Sequence, residues 1–106
     1  MENQQPNKPI SINASVEYAA KSVVSKVIMK HPNGQVTLFS FDAGEGLSEH
    51  TTPFEALVNV TDGTAVISIA GQENLVSAGE ALILPANVPH AVFAKERFKM
   101  MLTMIK

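Results

Sequence analysis

The sequence predicts an all-β sandwich or barrel. Three observations carry that expectation. Apolar residues fall in short, largely β-branched runs, turn signals recur about every 8 to 12 residues, and no long segment sustains a 3.6-residue period. The 106 residues are 45% apolar and 17% charged. That composition suits one domain with one core, since domains most often run about 100–150 residues.

Residues 1–9 are polar and carry Pro6 and Pro9. They read as a flexible arm, because nothing in them can pack. The single domain then spans 10–106. Residues 10–21 are ambiguous, and Val16 to Ala20 suits either one helical turn or a short strand. From Ser22 onward the pattern is β. Val23, Val24, Val27, Ile28 and Met29 form the first run. It ends at His31-Pro32-Asn33-Gly34, where Asn and Gly tolerate positive φ. A second strand covers Gln35 to Phe41, and Asp42 to Gly46 breaks it. After a loop, Glu55 to Thr61 forms the third, with Asp62-Gly63 as a hairpin turn. Thr64 to Ala70 follows, closed by a turn at Gly71-Gln72. Short strands fit Leu75–Val76, Ala81–Leu84 and His90–Ala94. The last strand runs from Arg97 to Ile105. There Phe98, Met100, Leu102 and Met104 share one face, and Met101 and Ile105 lie on the other. That second face is too apolar for full solvation and calls for another strand or a second subunit.

Composition excludes several functions. No cysteine is present, which removes a disulfide scaffold, a thiolate zinc site, an iron–sulfur cluster and a cysteine nucleophile. A net charge of −2 offers no basic field for nucleic acid. No apolar run reaches the ~18 residues of a membrane span. The N-terminus lacks a basic-then-apolar signal pattern, so a cytoplasmic location is expected. Metal chemistry would have to use His31, His50, His90 and carboxylates. His31 precedes Pro-Asn-Gly and reads as a solvated turn residue.

Two segments carry the chemistry. The first runs from Gly44 through His50, Thr52, Glu55 and Ala56 to Gly63. The second runs from Gly79 through Pro85, Asn87 and His90 to Ala94. Their spacing resembles the paired motifs of the cupin superfamily. Gly44, His50, Gly63, Gly79, Pro85 and His90 match. Thr52, Ala56, Asn87 and Ala94 replace the motif's second histidine, its glutamate, its second-motif glycine and its asparagine. The resemblance covers Gly44 to Ala94 and implies a double-stranded β-helix, the jelly-roll cupin barrel.

The resemblance also places metal ligands at positions 50, 52, 56 and 90. Positions 50, 52 and 56 share parity on a regular strand. This chain supplies only His50 and His90 as imidazoles. Three protein ligands are usual for catalytic zinc, and two histidines plus a carboxylate for non-haem iron. Glu55 can join them only if a bulge after Pro53 turns it inward. The residues themselves fix no cofactor; the resemblance admits a divalent metal (Zn, Fe, Mn or Ni). The inward candidates His50, Thr52, Ala56, Val58, His90, Val92, Phe98 and Met100 describe a small, largely apolar ligand pocket with two imidazoles and a hydroxyl. Two functions are expected from different classes. One is a small-molecule-binding cupin with a degenerate metal site. The other is a metal- or histidine-dependent cupin enzyme of isomerase, lyase or dioxygenase type. A purely structural barrel is the third reading. By the same resemblance the chain forms a homodimer.

Overall fold

The computed structural model describes residues 6–106. Nine strands follow one short 3-10 turn, Asn13–Ser15. They are β1 (Val23–His31), β2 (Gly34–Phe41), β3 (Gly46–His50), β4 (Glu55–Asp62), β5 (Thr64–Ile69), β6 (Gln72–Ser77), β7 (Ala81–Leu84), β8 (His90–Phe93) and β9 (Phe98–Ile105). Two antiparallel sheets result, ordered β1-β2-β9-β4-β7 and β3-β8-β5-β6. The all-β jelly-roll expectation holds. No helix among the described residues is long and apolar enough to cross a membrane.

The core lies between the sheets. Phe41, Val58, Val60, Ile67, Phe98 and Met100 are at most 2% exposed. Phe41 and Phe98 stack with ring centroids 4.5 Å apart. The alternation in β4 and β9 selects this face, because successive side chains point to opposite sides of a strand. Burying each such side chain contributes roughly 1.5–3 kcal/mol.

Four sequence expectations need correction. First, β3 replaces the loop expected before residue 55. Second, Val16 to Ala20 forms neither helix nor strand. The segment is instead pinned to the outer face of the five-stranded sheet. Ser40 Oγ donates to Glu17 O at 2.9 Å, Lys99 Nζ to Asn13 O at 2.6 Å, and Asn13 Nδ2 to Thr61 O at 3.0 Å. Val16 is buried beneath it. Tyr18 donates to Asp62 Oδ2, and the cations of Arg97 and Lys99 lie 4.5 and 4.7 Å from its ring centroid. Third, the β5–β6 turn is centred on Ala70 and Gly71, at φ 52° and 81°, one residue earlier than expected. Fourth, the strand around His90 ends at Phe93, and the last strand starts at Phe98.

The N-terminal arm expected over 1–9 lies partly outside the described residues; residues 6–9 are exposed. Two turn positions explain themselves physically. Gly63 has φ 74°, and a Cβ there would stand 2.5 Å from Arg97 O, so only glycine closes the β4–β5 hairpin. Asn87 takes φ 63° where the family motif has glycine, as its short polar side chain permits.

Candidate functional site

Leu47 and His50 lie three steps apart on β3, yet both face the same way. Leu47 pairs with Val92 and His50 with His90, and the register shifts between them. Three steps on β3 thus match two on β8. The extra residue is a β-bulge, which resets the facing of everything beyond it. Without the bulge His50 would point away from the side that Leu47 faces. Across β8, Val92 pairs with Ile67 and His90 with Ile69. Leu47, Ile69 and Val92 all belong to or pack on the core cluster, so the two histidines stand at its margin.

The rings meet edge to face, with centroids 4.4 Å apart and planes at 66°. His90 is 7% exposed and His50 is exposed. The pair therefore spans the step from solvent to core. His50 Nδ1 lies 2.7 Å from Ser48 O, and His90 Nδ1 lies 3.2 Å from Val88 O. A carbonyl oxygen only accepts, so Nδ1 carries the proton and donates on each ring. Neither Nε2 has a hydrogen-bond partner among the described residues. In the neutral ring it is an acceptor, and such back-side bonds fix tautomer and ring orientation.

The other candidate residues divide. Ala56, Val58, Val92, Phe98 and Met100 share one buried cluster. Thr52 is half-buried, and its hydroxyl donates to Phe54 O at 3.0 Å. Its carbonyl accepts from Asn87 N–H at 2.7 Å, which ties the β3–β4 and β7–β8 loops together. The common strand assumed for positions 50, 52 and 56 does not exist, because residues 51–54 separate β3 from β4. Glu55 pairs with Ile105 in regular register and is exposed. No bulge turns it inward, and the shift in β4 falls later, between Val60 and Asp62. His31 is exposed at the end of β1.

This donor set does not fit the four-ligand metal centre of the cupin motif. Position 56 offers a methyl group, and the Thr52 hydroxyl is engaged with the backbone. Among the described residues no three His, Asp or Glu side chains come together to hold a metal ion. Sequence reasoning missed Leu47 and Ile69, which flank the pair, and the Ser48 and Val88 carbonyls, which orient it. Backbone acceptors leave no residue-type signal.

The barrel has counterparts among known proteins. The family model described as "Cupin domain" matches residues 37–106. The chain belongs to the cupin family. A cupin 2 conserved barrel domain protein from Leptotrichia buccalis is 42% identical with a TM-score of 0.85, over 88% of this chain and 45% of that one. This cupin thus spans under half the length of that relative. A conserved Streptococcus pyogenes protein of unknown function is 28% identical with a TM-score of 0.93, over 99% and 92% of the two chains. Salicylate 1,2-dioxygenase from Pseudoaminobacter salicylatoxidans aligns at 14% identity and TM-score 0.74, over 81% of this chain and 27% of that one; that likeness concerns the fold alone. No curated protein matches the chain.

Proposed function

We propose that this cupin binds a small organic molecule at the His50–His90 pair without a resident metal. One observation carries the reading. Two imidazoles in contact at 4.4 Å each have Nδ1 held by a main-chain carbonyl. Each therefore presents Nε2 as its remaining polar atom. A ligand with hydroxyl or N–H donors on an apolar body complements that arrangement. Its donors meet Nε2, and its body meets the apolar margin formed by Leu47, Ile69 and Val92. Apolar lining with a few placed polar groups is the common make-up of small-molecule sites. The replaced ligand positions, Thr52 and Ala56, support binding through the ligand's own groups. Acid–base catalysis by the pair is open to the same ligand class. Among the described residues backbone carbonyls, not carboxylates, orient both rings, so binding is the better-supported function.

The test is a titration with a panel of small phenols, alcohols and amides, followed by imidazole NMR resonances. Binding should perturb His50 and His90 and leave His31 unmoved. Prior treatment with a strong chelator should change nothing. If chelation abolishes binding and a divalent metal restores it, the metal-dependent reading replaces this one.

A further inference from the structure

Corners of the chain join strands of one sheet to the strands that face them in the other. Residues 42–45 lead from β2 to β3, Gly63 from β4 to β5, residues 78–80 from β6 to β7, and residues 94–97 from β8 to β9. The orders β2-β9-β4-β7 and β3-β8-β5-β6 therefore lie in step, and β1 stands one strand beyond at the β2 edge. These corners close one end of the barrel. Beside them Phe41, Ala65, Ala94 and Phe98 are fully buried. At the opposite end Gln35, Ile69 and Met104 point inward yet stay half-buried, so the interior opens there. His50 ends β3 and His90 begins β8 at this open end. Because β3 faces β2, the wall across from His50 is the start of β2, flanked by the end of β1.

That wall is polar, and a second bulge helps to make it so. Thr37 and Gln35 share the inward face with Phe39 and Phe41, since successive residues alternate and the β2–β9 register is unbroken. Val27 pairs with Thr37 and Lys30 with Gln35, so three steps on β1 match two on β2. The bulge thus sets Lys30 on the inward face; in regular register it would point outward. β1 and β3 each use a bulge to turn a polar side chain inward at the same end. Gln35 Nε2 donates to Thr37 Oγ1 at 3.1 Å, and Thr37 is only 6% exposed. That bond fixes the carboxamide and leaves its second N–H to donate. Lys30 is exposed beside it and forms no ion pair among the described residues. No inward position of the paired strands holds Asp or Glu among the described residues.

We propose that Lys30 and Gln35 read a carboxylate, and that the ligand of the His50–His90 pair is a small hydroxy acid. This rests on the binding function proposed above and names the chemical class of its ligand. The Lys30 ammonium and the second Gln35 N–H supply charge-assisted hydrogen bonds to the carboxylate. The hydroxyl of the acid donates to an imidazole Nε2 on the opposite wall. Facing sheets stand ~10 Å apart, a span that one short molecule bridges. An opening with an inward cation and no inward carboxylate also draws anions toward it. An uncharged alcohol or amide would meet the same imidazoles but gain nothing from Lys30.

The probes are lactate, para-hydroxybenzoate and para-hydroxyphenylacetate, each beside its primary amide. Calorimetric titration near neutral pH gives affinity, and imidazole NMR resonances give the place of binding. At least one acid should bind about tenfold or more tightly than its amide and shift both His50 and His90. High salt should shrink that preference. Lys30→Met should remove it and leave the amide at its wild-type affinity. Gln35→Glu should abolish binding of the acid. Lys26→Met removes the same charge from the outward face of β1, where Lys26 pairs with Leu38, and should leave the preference intact. Circular dichroism that matches the wild type certifies that each variant is folded. Amides that bind as tightly as the acids and shift the imidazoles overturn this proposal alone and leave the His50–His90 site standing. A preference for acid that survives Lys30→Met also overturns it. Binding that moves neither imidazole, or no binding by any probe, overturns both readings together.

Discussion

His50 and His90 share a strand pair and a ring contact but differ in burial, and that difference separates their expected roles. His90 is built into the core margin and His50 faces solvent. His50→Ala should leave stability within about 0.5 kcal/mol of the wild type, as for most exposed positions. It should weaken ligand binding about tenfold, the equivalent of one hydrogen bond of ~1.4 kcal/mol. Calorimetric titration beside thermal unfolding separates the two effects. His90→Ala should lower both, because it also removes a buried side chain. At the centre of the core, Phe98→Ala should cost about 3–5 kcal/mol, read from denaturant midpoints. A loss below 1 kcal/mol there would contradict the stacking of Phe98 on Phe41 as a main core contact. Both histidines were legible in the sequence from motif spacing. What spacing could not convey was that Thr52 spends its hydroxyl on Phe54 O, or that Glu55 faces outward.

At the scale of elements, alternation located the strands with regular facing, and β4 and β9 are the clearest. β3 was hidden for a physical reason. It starts at Gly46, follows Gly44, and carries a bulge, so Leu47 and His50 share a face at an odd spacing. Neither strand composition nor period 2 survives there. The N-terminal segment escaped for a different reason: it is held by side-chain bonds to strands, not by a regular ladder. Its far end depends on Asp42, whose carboxylate accepts from Lys21 N–H at 2.8 Å and lies 3.6 Å from Arg97. Backbone N–H donors, from Lys21 first and Ala43 second, hold the Asp42 carboxyl below its ordinary value. The unfolded chain therefore binds the proton more readily than the folded one. The stabilisation is present above about pH 4, the ordinary Asp range, and is lost as pH falls through the lower folded value. Asp42→Asn should flatten that acid dependence in thermal unfolding between pH 6 and pH 3 relative to the wild type. The β5–β6 turn offers a converse test. Ala70 sits at φ 52°, a conformation that costs an L residue roughly 1–2 kcal/mol and glycine almost nothing. Ala70→Gly should raise stability by about 0.5–1 kcal/mol after the greater flexibility of the unfolded chain is offset; a drop in melting temperature would contradict the turn assignment.

For the whole molecule, low charge and high apolar content find two outlets. One is the interior between the sheets. The other is the outer face of the five-stranded sheet, where Leu57, Ile83 and Ile105 stand exposed. The sequence already marked Met101 and Ile105 as too apolar for solvent, but it could not tell that the chain's own N-terminal segment covers the first and leaves the second. The same limit applies to the metal question. The sequence shows which ligand types are missing, and among the described residues no three His, Asp or Glu side chains gather to replace them. The central claim is therefore that the pair His50–His90 holds an organic ligand and no resident metal. Native mass spectrometry of freshly purified protein tests it most directly. The account predicts that metal adducts stay far below one atom per chain, and that any retained small organic mass disappears in His50→Ala. One divalent metal per chain, lost in both His50→Ala and His90→Ala, would contradict it.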